Sequence, residues 1–417
     1  MDPVANPFRS VNDVPTRARA LDAMRGAAVL AMIAWHVADA WLAPSFRSGP
    51  AWHAVRVVGG LAAPLFLYAA GANVARAIAA GATIGDVARR GGEVFALGIL
   101  LRAQIWAVDA GGLSEPRAWP AIVALGGGAA LTVGAARASR HDADGIASRW
   151  LRDVPWIVGP LLIVIGAAIV IVDHPERCSL ALRFDALHCV GASIAIAAAL
   201  SRTPSYVRAS ITIALLVLGA TTTTTTIDSS EYTAWLARST DHASLSSFPL
   251  APYAAYAILG SSHHVTLSRY PGRSLAIGTI VATLTFGGGL DEVRRTIATF
   301  PAARPWAHFA FTIASTLALA GASQLFLRAI DSCLTRLGRR SLSVYWIHVT
   351  VVFGFVTAPL HRALAPLPCA LSVVVFALAG GAAIGAGRAL SRAQTSSRGS
   401  FHHRTRVHDS GFGQGRS

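Results

Sequence analysis

The sequence predicts an all-α fold, a polytopic membrane helix bundle of about 10–12 transmembrane helices. Three observations predict it. Of 417 residues, 53% are hydrophobic and only 14% charged, a balance too apolar for a soluble domain of this length. Apolar runs near the ~20 residues that cross the hydrocarbon layer recur along the chain. Arginines gather in alternate gaps between those runs, as the positive-inside rule demands of cytoplasmic loops.

In order, the runs fall at about 23–43, 55–80, 92–108, 119–136, 154–172, 185–200, 206–227, 248–262, 274–290, 305–328, 341–360 and 368–390. With Arg9, Arg17 and Arg19 placed in a cytoplasmic N-terminal tail, the later inside loops hold Arg89 and Arg90, then Arg137, Arg140, Arg149 and Arg152, then Arg202 and Arg208. Arg269 and Arg273 follow, and then Arg336, Arg339 and Arg340. Outside loops are poorer in arginine or offset by acids such as Asp109 and Glu115. The loop 291–304 breaks the pattern, because Arg294, Arg295 and Arg304 meet only Asp291 and Glu292 there. The chain therefore divides into a tail at 1–20, a membrane domain at 21–390 and a basic, Gly/Ser-rich tail at 391–417 that is expected to be disordered. Pro64 is expected to kink the second span, and Gly71 to permit close helix packing there.

Composition also excludes chemistries. No lysine occurs, so all 36 basic side chains are arginine, and lysine Schiff-base or lysine-nucleophile mechanisms are ruled out. The formal net charge of +15 would suggest nucleic acid in a soluble protein, but here the arginines set topology. The four cysteines, Cys178, Cys189, Cys333 and Cys369, lack metal-ligand spacing, so no metal is expected.

The first span, "RGAAVLAMIAWHVADAW", opens on Arg25 and contains His36 and Asp39. Eleven residues of α-helix make about three turns, which puts Arg25 and His36 on one face, ~16 Å apart along the axis. Asp22 and Asp39 extend that face at three-residue spacing. Charged groups are costly in hydrocarbon, so this stripe should look into the bundle. Taken singly, Arg25 could mark only the membrane boundary and His36 only bond a neighbouring helix. Together they suggest a charged anchor at one end and a catalytic base further along, with the Asp39 carboxylate orienting the His36 ring.

An arginine, ten residues and a histidine on the first helix resembles the motif of the membrane acyltransferase family 3 proteins. More closely, "ALDAMRGAAVLAMIAWHVADAW", "APLFLYAAGANVA", "RFDALHCVGASIAIAAAL", "FPLAPYAAYAILG" and "LTRLGRRSLSVYWIHVTVVFG" resemble, in that order, bacterial proteins with a heparan-alpha-glucosaminide N-acetyltransferase type catalytic domain. The resemblance implies transfer of an acetyl or other acyl group from cytosolic acetyl-CoA or another acyl-CoA to a hydroxyl or amine of an acceptor, often a glycan, at the outer side of the bacterial inner membrane. It implies that Arg25 serves the acyl-CoA and that His36 is catalytic, either deprotonating the acceptor or carrying the acyl group transiently. The "HAPWNG"-like phrase of the lysosomal branch is absent; "PAWHAVRVVGG" stands there, so a heparan-type acceptor does not follow.

Other polar groups interrupt later spans. "RFDALHC" sets Asp185 and His188 one turn apart, and "LLRAQIW" places Arg102 and Gln104 deep in the third span, where an arginine needs a carboxylate such as Asp39 or Asp185. These four make a candidate acceptor pocket, with a structural interhelix bond as the alternative. "SVYWIH" sets Tyr345 and His348 one turn apart behind a basic run, a candidate donor site. A permease or flippase would also bury Asp and His in its spans; it would commonly repeat the stripe in its second half, where no copy is found.

Overall fold

The computed structural model describes residues 13–138, 146–224, 248–286, 303–326 and 333–379. Among them every regular element is helical, and the strand-like pairing is confined to an isolated bridge between Leu42 and Leu364. Most of the N-terminal tail, most of the ambiguous loop 291–304 and the whole basic tail 391–417 lie outside the described residues.

Helix α1 runs Asp13–Trp41, α2 Gly49–Gly60, α3 Ala62–Ala79, α4 Ile84–Gln104, α5 Trp119–Ala138 and α6 Ile146–Asp173. A single-turn α7, Cys178–Ala181, leads to α8, Ala186–Ala199, and α9, Ser205–Thr224. Then come α10, Leu250–Arg269, α11, Pro271–Phe286, α12, Ala303–Phe326, α13, Cys333–Arg339, α14, Ser341–Phe353, and α15, Pro366–Ala379. The described part of each apolar run overlaps these helices, the run 55–80 being divided between α2 and α3. Among the described residues, six helical segments are long and apolar enough to cross a membrane: Arg19–Trp41, Gly49–Ala79, Ile84–Asp109, Pro116–Ala138, Val154–Asp173 and Phe309–Phe326. Shorter apolar helices at Ala186–Arg202, Ser205–Gly219, Ser341–Phe353 and Pro366–Ala379 stand beside them.

Local chemistry sets several ends. Thr83 caps α4, its Oγ1 accepting from the Asp86 N–H at 3.1 Å while Asp86 Oδ2 accepts from the Thr83 N–H at 3.2 Å, so two orphan donors are satisfied. The far end of α4 widens into a π-helical turn at Ile105–Asp109. The second span is interrupted at Leu61, between α2 and α3, instead of kinking at Pro64. Pro64 sits in the first turn of α3, where a missing N–H costs little.

On α6, Ile157, Leu161, Val164 and Val172 are all more than half exposed, an apolar face suited to lipid. Inside, the tightest helix pairs meet through glycine: α1 with α13, α3 with α10, α4 with α8, α5 with α6 and α11 with α12. A Cβ on Gly26 would overlap the Leu334 carbonyl, and one on Gly338 the Asp22 carbonyl. A Cβ on Gly71 would overlap the Ala257 carbonyl, and one on Gly260 the Tyr68 carbonyl, so the packing role expected of Gly71 is realised. Gly91 and Gly191 oppose each other reciprocally, each Cβ position 2.6 Å from the other's carbonyl oxygen. These crossings are backbone against backbone, as expected where lipid supplies no hydrophobic drive between helices.

Gly338→Ala is expected to force α1 from α13 and destabilise the protein by about 1–3 kcal/mol. Gly127→Ala, where a Cβ meets nothing within 4 Å, should leave the melting temperature in detergent unchanged.

Candidate active site

Helix α1 lies along α14 and is tied to it at three levels. At one end Arg25 Nη2 donates to Ser341 Oγ at 2.6 Å, with Asp22 3.5 Å from the same guanidinium. Further along, His36 Nδ1 and His348 Nε2 are 2.8 Å apart. At the other end Trp41 Nε1 donates to the Val352 carbonyl at 2.9 Å. Positions 341, 345, 348 and 352 follow the four-three-four spacing of one helix face, so α14 turns that face toward α1. The glycine contact between α1 and α13 lies beside Arg25 and holds the two chains close enough for the first rung.

The His36 and His348 rings are nearly coplanar, 14° apart, with centroids 5.1 Å apart. A 2.8 Å nitrogen contact with that centroid distance places both nitrogens between the rings, as in an in-plane hydrogen bond. His348 is buried and its Nδ1 lies 3.0 Å from the Val344 carbonyl oxygen. Tyr345 packs edge-on to the His348 ring, and Phe353 edge-on to His36. His36 itself is partly exposed.

The expectation that Asp39 orients His36 is corrected by this geometry. Asp39 lies in the last turn of α1 with its side chain 45% exposed, and it pairs with Arg47 at 3.9 Å, while Arg47 Nη2 also donates to the Asp39 carbonyl at 2.6 Å. Three-residue spacing put Asp39 on the right face, but the chain turning back after Trp41 brings Arg47 to it. His348, from a helix distant in sequence, occupies the place expected for the carboxylate.

A second polar centre joins α4, α8 and α14. Arg102 Nε lies 3.0 Å from Asp185 Oδ2, both groups being well covered, so Asp185 rather than Asp39 answers the arginine in the third span. Asp185 also caps α8, accepting from the Leu187 N–H at 3.1 Å, and its Oδ1 is 3.0 Å from His188 Nδ1. The His188 ring is held between Phe184 and Phe95 and rests on Gly98, where any Cβ would come within 3.0 Å of three ring atoms. Gln104 bridges to α14: Trp346 Nε1 donates to Gln104 Oε1 at 2.9 Å, and Gln104 Nε2 donates to Thr350 Oγ1 at 3.2 Å.

The structure thus brings Arg25, His36, Tyr345 and His348 together on the seam between α1 and α14, and gathers Arg102, Asp185 and His188 between α4 and α8, with Gln104 reaching the other flank of α14. Ser341 and Thr350 escaped the sequence reading; the helical period of Ser341, Tyr345 and His348 was the available signal for the first. Among the described residues no group of three His, Cys, Asp or Glu side chains could hold a metal ion.

The described helices form an apolar bundle with a guanidinium at one end of the seam between α1 and α14 and a histidine pair within it. The chain matches the family described as "Heparan-alpha-glucosaminide N-acetyltransferase, catalytic" over residues 17–112 and 126–288, more than half its length, and it belongs to that family of membrane acetyltransferases. No curated protein and no solved structure matches it. The family match includes Arg25, His36, Arg102, Gln104, Asp185 and His188, and it ends before α14, so Tyr345 and His348 lie beyond it.

Removing one partner of a buried ion pair strands the other, so Asp185→Ala should destabilise the protein by about 3–5 kcal/mol. Asp39→Ala, in a half-exposed pair, should cost under about 1 kcal/mol. Thermal unfolding in detergent compares the two.

Proposed function

We propose that the protein moves an acetyl or other acyl group from cytosolic acyl-CoA to a hydroxyl or amine of a glycan acceptor at the outer side of the inner membrane, with both termini cytoplasmic. The observation that carries this reading is the seam: Arg25 and His36 share one face of α1, and each is fixed by a polar partner on α14.

The parts take their roles from their chemistry. Arg25 is partly exposed, and beside it Arg339 Nε pairs with Asp22 Oδ2 at 3.1 Å, so two guanidiniums share one carboxylate. That surplus of positive charge suits the phosphates of acyl-CoA. His36 takes the proton of the acceptor hydroxyl or amine as its oxygen or nitrogen attacks the thioester carbonyl. The carbon–sulfur bond breaks, the acyl group joins the acceptor, and the proton held by His36 passes to the departing CoA sulfur. Tyr345 packs on His348 and lines the donor side of the same seam. Arg102, Gln104, Asp185 and His188 shape the acceptor side, with Asp185 holding Arg102 and His188 in place.

The buried Arg102–Asp185–His188 group also suits a permease or flippase, in which it would form part of the substrate path. Such a protein would move its substrate with no CoA compound present.

Full-length protein in lipid nanodiscs, given radiolabelled acetyl-CoA and a panel of amino sugars and hydroxylated glycans, is expected to label at least one acceptor. His36→Ala should lower kcat by at least about a hundredfold. Arg25→Ala should act chiefly by raising KM for acetyl-CoA. An unlabelled panel with wild-type protein, or equal transfer by His36→Ala, contradicts the reading.

A further inference from the structure

We infer that His348 is a positioning residue that fixes the proton of His36 on Nδ1 and so leaves the His36 Nε2 lone pair as the reacting atom. The inference deepens the acyl-transfer reading, because it names the atom that takes the acceptor proton. It follows from hydrogen-bond directions along a short chain of groups.

A carbonyl oxygen can only accept, so the 3.0 Å contact between His348 Nδ1 and the Val344 carbonyl requires the proton of His348 to sit on Nδ1. A neutral imidazole carries one N–H, and His348 Nε2 is therefore an acceptor. Its partner at 2.8 Å is His36 Nδ1, which must then be the donor. The near coplanarity of the rings aligns that N–H with the Nε2 lone pair. With its single proton committed to Nδ1, His36 has its lone pair on Nε2, and among the described residues no hydrogen-bond partner is found for that atom.

Both rings being neutral is what the surroundings favour. Among the described residues neither ring pairs with a carboxylate, and their ring neighbours are Tyr345 and Phe353. An imidazolium on His348 would be a buried charge without a counter-ion, and one on His36 would stand in an apolar span without one. The device differs from a histidine steered by a carboxylate, since a carbonyl on α14 sets the first tautomer and the first ring sets the second. The same chain of groups explains why Asp39 can be surrendered to Arg47.

The tautomer can be read without substrate by ¹⁵N NMR of histidine-labelled full-length protein in nanodiscs, the His36 signals being those lost in His36→Gln. The expected wild-type spectrum shows His36 protonated at Nδ1, the form less favoured by free histidine in water. His348→Phe, which keeps a ring but offers no acceptor, should move the proton to Nε2; His348→Gln, whose Oε1 accepts, should return it to Nδ1. In the transfer assay His348→Phe should lower kcat by at least about tenfold with KM for acetyl-CoA unchanged, and His348→Gln should recover part of the loss. A wild-type His36 carrying its proton on Nε2, or on both nitrogens, overturns the inference, as does an unchanged tautomer in His348→Phe. If His348→Phe does not fold, the wild-type spectrum decides alone. Because that spectrum needs no acyl donor, failure of the tautomer and failure of acyl transfer are separate results.

Discussion

Contact of helix backbones through glycine is the constraint on which the rest of this structure depends. In a bilayer, lipid tails solvate leucine as well as a neighbouring helix does, so association must come from close van der Waals contact and interhelical hydrogen bonds. At Gly26 and Gly338 a single methyl group on either side would overlap a backbone carbonyl of the other helix. That contact places α1 against α13, and α14 follows α13 after a turn at Arg340. Arg25 and Ser341 can meet only because the chains beside them already touch.

From this anchor α14 becomes the helix that both polar centres share. One flank faces α1 through Ser341, His348 and Val352; the other faces α4 through Trp346 and Thr350. Each polar side chain named here finds a partner within the bundle, which offsets the cost of placing it among apolar neighbours. A shift of α14 would therefore disturb the arginine, the histidine pair and the glutamine together.

Much of the helical architecture was legible in the sequence, because apolar run length is a local signal and the described part of each run is largely helical, though the run 55–80 divides into α2 and α3. The shared face of Arg25 and His36 was legible for the same reason: helical period depends only on spacing. The Arg102 partner was narrowed to two carboxylates by the expense of a lone buried arginine, and packing chose Asp185. What spacing does not carry is the partner of His36. His348 stands 312 residues away, and its role arises from how α14 packs on α1. Asp39 misled because the three-residue rule describes an isolated helix, whereas Arg47 arrives from the chain that follows it. Gly98 under the His188 ring is of the same kind, a packing fact with no local trace.

The proposed function places donor and base on the seam between α1 and α14. The most direct measurement is a density map of the full chain in a nanodisc with a thioether analogue of acetyl-CoA. Phosphate density is expected against Arg25, with the acyl carbonyl analogue within reach of His36 Nε2. An analogue bound with its phosphates away from Arg25, or its acyl end remote from His36, would contradict it.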